Sequence, residues 1–171
     1  GANNITPGTI FLNENGEGSY SVKTLRSADN KIEYREVKPY PLGNGGAIVF
    51  YGYNNNDVGM TVKSTSFTII DKDGNVSTSG TLPSSDYSSS TSATPLKDGR
   101  LFAVSKAQMY ILNTEGIVEK QKSMGTTVSL APSPTQLGNG NVLIAYGYSS
   151  SGSPYSPYFQ IYDLDLNQIV G

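Results

Sequence analysis

The stretch PYPLGNGGAIVFYGYNNND, Pro39–Asp57, returns 95 residues later as PTQLGNGNVLIAYGYSSSG, Pro134–Gly152. Both copies hold a Pro, a Leu, a Gly-Asn-Gly, an apolar run and a Tyr-Gly-Tyr, and both then turn polar. Agreement at so many positions marks a repeated unit.

A third copy of the turn is Leu96-Lys97-Asp98-Gly99, between Leu42-Gly43-Asn44-Gly45 and Leu137-Gly138-Asn139-Gly140, at spacings of 54 and 41 residues. An Asx-Gly pair between two extended segments is a strong hairpin signal. It predicts a type I′ turn, whose two central residues both need φ > 0. A buried strand is expected after each turn, at Ala47–Phe50, Leu101–Val104 and Val142–Ala145. Downstream, IIDKDGN (Ile69–Asn75), ILNTEGI (Ile111–Ile117) and IYDLDLN (Ile161–Asn167) each end a strand in a polar turn. A short last strand follows at Val76–Ser79, Val118–Gln121 and Gln168–Val170. The unit is strand A, Asx-Gly turn, strand B, variable loop, strand C, acidic turn, strand D. The first 37 residues fit it without strand A: Gly8–Asn13 as B, Ser19–Asn30 as C with its turn, Lys31–Val37 as D.

The segments are short, bounded by turn residues, and rich in β-branched and aromatic side chains. No long window carries helical periodicity; GIVEKQKSM, Gly116–Met124, comes nearest. The class is all-β. Four strands recurring every 40 to 50 residues or so is the arithmetic of a β-propeller blade, whose apolar faces are buried by stacking on its neighbours. The expected organisation is one domain of about four blades, 1–37, 38–92, 93–129 and 130–171. The ring would be a closed four-bladed one, half of an eight-bladed ring shared by two chains, or a piece of a larger ring. A β-sandwich is the runner-up.

TPLKDGRLFAVS (Thr94–Ser105), TQLGNGNVLIAYGY (Thr135–Tyr148) and FQIYDLDLN (Phe159–Asn167) resemble kelch-type blades. FTIIDKDGN (Phe67–Asn75) is similar to repeats of large bacterial surface adhesins. The resemblance covers Lys38 to Gly171. It departs from kelch in having Tyr51-Gly52-Tyr53 where a Gly pair is usual, and in having no blade Trp. It implies the blade architecture and assigns no ligand or catalytic residue.

Only 15% of the residues are charged, against about 25% in an average domain. Ser, Thr, Asn and Gly must therefore make the surface polar. A net charge of −2 argues against nucleic acid, which needs a basic stripe, and against adsorption to anionic membranes. No apolar run approaches the roughly 20 residues of a membrane helix. The chain has no His and no Cys, so the usual general base, catalytic triads, thiol chemistry and thiolate zinc sites are excluded. A sialidase-like propeller would need an arginine cluster, but Arg26, Arg35 and Arg100 lie in different strands, and no Asp-box motif is present. The expectation is a protein that is not an enzyme and uses no cofactor.

Asp71, Asp73 and Asn75 have the spacing of a calcium loop, repeated in Asp163, Asp165 and Asn167. The Gly and Glu that complete an EF-hand are missing, and the side chains suit a turn that bonds its own backbone. No metal site is expected. The candidate ligand-binding residues are those of the loops after strand B: Tyr51, Tyr53, Asn54, Asn55, Asn56 and Asp57, with Tyr146, Tyr148, Tyr155 and Tyr158. Tyrosine brings a rigid apolar face and a hydroxyl, and short polar residues bring adaptable hydrogen bonds. That mixture suits a glycan or a protein receptor on a cell surface. The four tyrosines of the two Tyr-Gly-Tyr motifs also fit a plainer role, packing between blades at the end of strand B. The expected setting is extracellular, on a bacterial cell surface or a virion such as a phage tail fibre. The expected role is adhesion, with a structural spacer and a glycan-hydrolysing propeller as alternatives, no membrane insertion, and homo-oligomerisation open.

Overall fold

The computed structural model describes residues 8–9, 23–24, 32–55, 62–83, 91–126, 128, 132–149 and 155–171. Among them there is no helix, and hence none long and apolar enough to cross a membrane. Two short strands, β1 (Gly8–Thr9) and β2 (Lys23–Thr24), pair antiparallel. Three four-stranded antiparallel meanders follow. The first sheet is β3 (Ile32–Pro41), β4 (Ala47–Asn55), β5 (Val62–Ile70) and β6 (Val76–Thr81). The second is β7 (Ser92–Pro95), β8 (Leu101–Ser105), β9 (Gln108–Leu112) and β10 (Val118–Ser123). The third is β11 (Ser133–Gln136), β12 (Val142–Tyr148), β13 (Ser156–Tyr162) and β14 (Gln168–Val170).

The A-B-C-D unit is therefore present three times, in the order read from the sequence. The sheets do not close into a ring, so a closed four-bladed ring is not what these residues form. Ile32–Val37 also differs from its expected place. It does not end a first unit but runs on into β3, paired with β4 from Ile32–Asn55 to Pro41–Ala47. Its alternating pattern specified a strand and could not name the neighbour. The helix-like window Gly116–Met124 holds β10, because Val118 and its successors pair with β9.

The Asx-Gly turns are three-residue loops. In the first, Gly45 N–H donates to Leu42 O (3.1 Å) and Leu42 N–H to Gly46 O (2.9 Å). Only the glycines, Gly45, Gly99 and Gly140, take positive φ, at 83°, 88° and 91°. That is a tight turn followed by a left-handed Gly bulge, and it replaces the type I′ turn expected from the dipeptide. The second turns use an acidic or amide side chain as the hub. Asp163 Oδ1 accepts from the N–H groups of Asp165 (2.9 Å) and Asn167 (2.8 Å), and Asp71 and Asn113 do the same in their copies. The backbone of Asn167, and then its side chain, hold the Asp163 carboxyl below its ordinary value. These oxygens are spent on the chain's own amides, as the turn reading requires.

Alternation along the central strands sends one face of each sheet to each neighbour. Ile48, Phe50, Phe67 and Ile69 of the first sheet pack with Leu101, Ala103, Tyr110 and Leu112 of the second. The opposite face of the second sheet, Phe102, Val104, Met109 and Ile111, packs with Val142, Ile144, Tyr146 and Tyr162 of the third. The last strands are exposed almost throughout, which is why β10 can read VEKQKS. At the first junction Thr65, Thr91 and Ser105 bring three buried hydroxyls within 3.0–3.1 Å of one another, so each has a partner. At the second, Lys120 reaches Leu164 O and Asp165, and Lys122 reaches Asn167 Oδ1.

Two core tyrosines give a pH prediction. Tyr110 donates to Pro83 O (2.8 Å) and Tyr162 to Gln160 Oε1 (2.8 Å), and burial pushes both phenols up to about 12. A group whose pKa is raised on folding stabilises the fold below its unfolded value, roughly 10 for tyrosine. That contribution is lost as the pH rises from there through about 12. Melting temperature is expected to fall across this window, with late tyrosinate absorbance appearing together with unfolding. Complete ionisation of all tyrosines near pH 10 without unfolding would contradict it.

Candidate functional site

The third sheet carries the densest group of candidate residues, and strand length explains their exposure. Units superposed on their turns set Tyr146 level with Ser105, the last residue of β8. The β8–β9 hairpin closes there through Lys106-Ala107, whereas the β12–β13 hairpin runs on to Tyr148 and Ser156. The longer hairpin thus runs past the level at which the shorter one closes.

Register puts Tyr146 opposite Tyr158 and Tyr148 opposite Ser156, so the three rings share one face, the one that meets the second sheet. Tyr146 and Tyr158 stack with centroids 6.2 Å apart and planes at 21°. Tyr148 meets Tyr158 edge-on at 5.8 Å and 86°. Tyr146 is buried at 8% exposure, whereas Tyr158 keeps half of its surface, 50%, in solvent. Tyr158 is therefore an exposed ring held by one stacked and one perpendicular neighbour. Tyr155, at the entrance to β13, is also exposed.

At the tip of the same hairpin, Ser133, Ala145, Gly147, Ser156 and Pro157 join Tyr146 and Tyr155 around an open recess of about 460 Å³. Apart from the tyrosines, these are residues the sequence did not single out. The signal was available for Ala145, Gly147 and Pro157, the alternate positions of strands whose tyrosines had been noticed.

The first sheet behaves differently. Tyr51, equivalent to Tyr146, is 1% exposed, with its hydroxyl 3.0 Å from Thr68 Oγ1. Thr68 in turn lies 3.0 Å from Ser79 Oγ. Tyr51 is a core residue, as the plainer reading of the Tyr-Gly-Tyr motif held. Tyr53, Asn54 and Asn55 lie on β4, and Asn56 and Asp57 lie outside the described residues. The second sheet stands between the first and the third, packed on both. The structure thus brings together Tyr146, Tyr148 and Tyr158.

Acid–base chemistry is sparse around these rings. The ion pairs among the described residues, such as Arg100 with Asp98 (2.7 Å) and Glu119 (3.2 Å), belong to turns and outer strands. No group of three His, Cys, Asp or Glu residues that could hold a metal ion occurs among the described residues.

No family model matches this sequence, and no curated protein does. Solved structures do. One is a protein of unknown function from Bacteroides caccae, with TM-score 0.52 and 14% identity, over 96% of this chain and 53% of that one. Another is a protein of unknown function from Dyadobacter fermentans DSM 18053, with TM-score 0.56 and 19% identity, over 78% of this chain and 39% of that one. The chain spans about half the length of the first and less of the second, and its likeness to both is one of fold.

Proposed function

We propose that this chain is a non-enzymatic binding module made of consecutive β-propeller blades, and that the Tyr158 platform takes a glycan on an extracellular surface. The carrying observation is the half-exposed Tyr158 ring, fixed by Tyr146 and Tyr148 at the tip of the longer hairpin. An immobilised aromatic face loses little entropy on binding and stacks on the C–H face of a sugar ring, while phenol and serine hydroxyls meet the sugar edge.

The blade reading draws support from the order of contacts. The first strands touch in sequence, β3 with β7 and β7 with β11, as strands nearest a common axis do. The A–B turns touch as well: Gly43 N–H donates to Gly99 O (3.3 Å), and the Lys97 ammonium to Gly138 O (3.1 Å). The kelch-like turn and strand pattern points the same way, as does the lack of His and Cys toward a role without catalysis.

A glycan array followed by calorimetry tests the function. The wild type is expected to bind a defined set of glycans, with Tyr158→Ala losing tenfold or more in affinity, equivalent to about 1.4 kcal/mol. Tyr51→Ala, at a buried site, is expected to change stability and leave glycan selectivity alone. Silence of the wild type across the array, or unchanged affinity in Tyr158→Ala, would overturn the reading.

A further inference from the structure

The two junctions differ where the last strand of one sheet meets the acidic turn of the next. At the second junction β10 supplies two lysines. Lys120 Nζ donates to Leu164 O (2.8 Å) and to the Asp165 carboxylate, and Lys122 Nζ donates to Asn167 Oδ1 (3.1 Å). Units aligned on Asp71, Asn113 and Asp163 give the equivalents at the first junction. Thr78 and Gly80 stand in the places of Lys120 and Lys122: they pair with Ile69 and Phe67, as the lysines pair with Ile111 and Met109. Thr114, Glu115 and Ile117 stand in the places of Leu164, Asp165 and Asn167.

The two missing lysines are matched differently. Gly80 replaces Lys122, and the acceptor goes with it, because Ile117 replaces Asn167. Thr78 replaces Lys120, yet the acceptor pair, a backbone carbonyl and a carboxylate, is kept at Thr114 and Glu115. Space is kept as well. A cleft of about 430 Å³ opens between Ser77 and Thr78 on one wall and Thr114, Glu115 and Ile117 on the other, and the buried Ile69 also lines it. Asp71 adds a second carboxylate to this lining, where the second sheet has the neutral Asn113. Among the described residues no lysine or arginine lines the cleft, and the neighbouring Lys72 ammonium is held by Asp73 (2.9 Å).

We infer that the cleft at the first junction binds a primary alkylammonium group of a ligand, with Thr114 O and the Glu115 carboxylate receiving it as Leu164 O and Asp165 receive Lys120. An ammonium has three N–H donors and no acceptor, so a carbonyl and a carboxylate suit it. Ile69 and Ile117 offer an apolar surface to the alkyl stem, as lysine stems find on folded proteins. Two sources carry that chemistry, a lysine side chain of a partner chain and a free diamine. The site uses no residue of the Tyr158 platform, so it stands or falls apart from the glycan reading.

Amide NMR titrations of the intact chain test it. The probes are Nα-acetyl-lysine methylamide and 1,5-diaminopentane, with sodium chloride and tetramethylammonium chloride at matched ionic strength as controls. Both amines are expected to shift the amides of Ser77, Thr78 and Thr114–Ile117 and to saturate with a Kd on the order of 1–10 mM, since an exposed ion pair contributes little. Glu115→Gln is expected to weaken binding by about fivefold or more. Thr78→Lys sets a tethered ammonium in the cleft, as Lys120 is set at the second junction, and is expected to abolish the response. Both positions are exposed, so circular dichroism is expected to stay unchanged. Tighter binding of the lysine probe assigns the site to a partner chain's lysine. Tighter binding of the diamine, whose second ammonium reaches toward Asp71, assigns it to a free diamine; either order supports the site. No saturable shift with either amine overturns the inference. So do shifts that sodium or tetramethylammonium reproduces, and binding that Glu115→Gln and Thr78→Lys leave unchanged.

Discussion

Phe102→Ala is expected to cost about 3–5 kcal/mol of unfolding free energy, much of what an ordinary domain has. Phe102 is fully buried on β8, paired across the strands with Thr94 and Ile111, and it fills the junction with Val142, Ile144 and Tyr162 of the third sheet. Truncation leaves a cavity between two sheets that are each too thin to collapse around it. Urea unfolding measures the loss directly, and the melting temperature is expected to fall by on the order of 10 °C. Ile117→Ala, at 61% exposure, serves as the comparison, with an expected change within about 0.5 kcal/mol. A loss below about 1 kcal/mol for Phe102→Ala would mean that the second and third sheets are not held together as described.

Gly116→Ala is expected to be nearly as damaging, for two separable reasons. Gly116 has φ of 82°, a left-handed conformation that an L side chain adopts at a cost of about 1–2 kcal/mol. A Cβ there would also stand 2.7 Å from Ile69 Cδ1 and 2.7 Å from Phe67 Cε2, overpacking the first junction by about 1–3 kcal/mol more. Gly140→Ala separates the two contributions, because Gly140 has φ of 91° with nothing within 4 Å of the added carbon. The Gly140 variant is expected to show the backbone cost alone, and Gly116→Ala to exceed it. Equal losses in the two variants would remove the packing argument, while recovery of Gly116→Ala by a second change, Phe67→Leu, would strengthen it.

The third sheet meets the same position with a different side chain. Leu166 occupies the Gly116 position, keeps the left-handed backbone (φ 62°) and buries its side chain to 1% exposure. Opposite Gly116 the second-turn partner is Phe67, whereas the residue equivalent to Phe67 in the cluster holding Leu166 is Met109. A glycine faces Phe67 at one junction, and Leu166 shares its cluster with the slimmer Met109 at the next. The conformational cost at Leu166 is offset by burial of its isobutyl group.

Much of this fold was legible because turns and strands announce themselves locally. The glycines after Asn44, Asp98 and Asn139 marked where each second strand begins, and Asp71, Asn113 and Asp163 marked the turn before each last strand. Long-range partnership was not legible. The alternation of Lys31–Val37 fits a last strand or a first one equally well, and only its pairing with β4 decides. The turn type was missed because an Asx-Gly dipeptide serves two-residue and three-residue loops alike, and the count depends on which residues on either side pair.

The candidate site was read with the same strengths and gaps. Tyr51 and Tyr146 looked alike in sequence and are alike in place, both buried within a central strand. What exposes Tyr158 is the shortness of a different hairpin, closed by Lys106-Ala107, a relation between units that no single motif contains. The 53% exposure of Phe159 was hidden for a similar reason, since its residue type suits the buried role that its equivalents, Phe67 and Met109, play.

The contact between Gly43 and Gly99 divides the molecule into two rims with unequal freedom to change. A Cβ on Gly43 would run into the Gly99 backbone, so a side chain there wedges the first two sheets apart. At the opposite rim the connectors between central strands already differ in size, from the pair Lys106-Ala107 to the stretches from Asn55 to Val62 and from Tyr148 to Ser156. Diversification, natural or engineered, has most room there: new loops grafted on that rim would leave the stacking untouched, whereas a side chain at Gly43 on the glycine rim would disturb it.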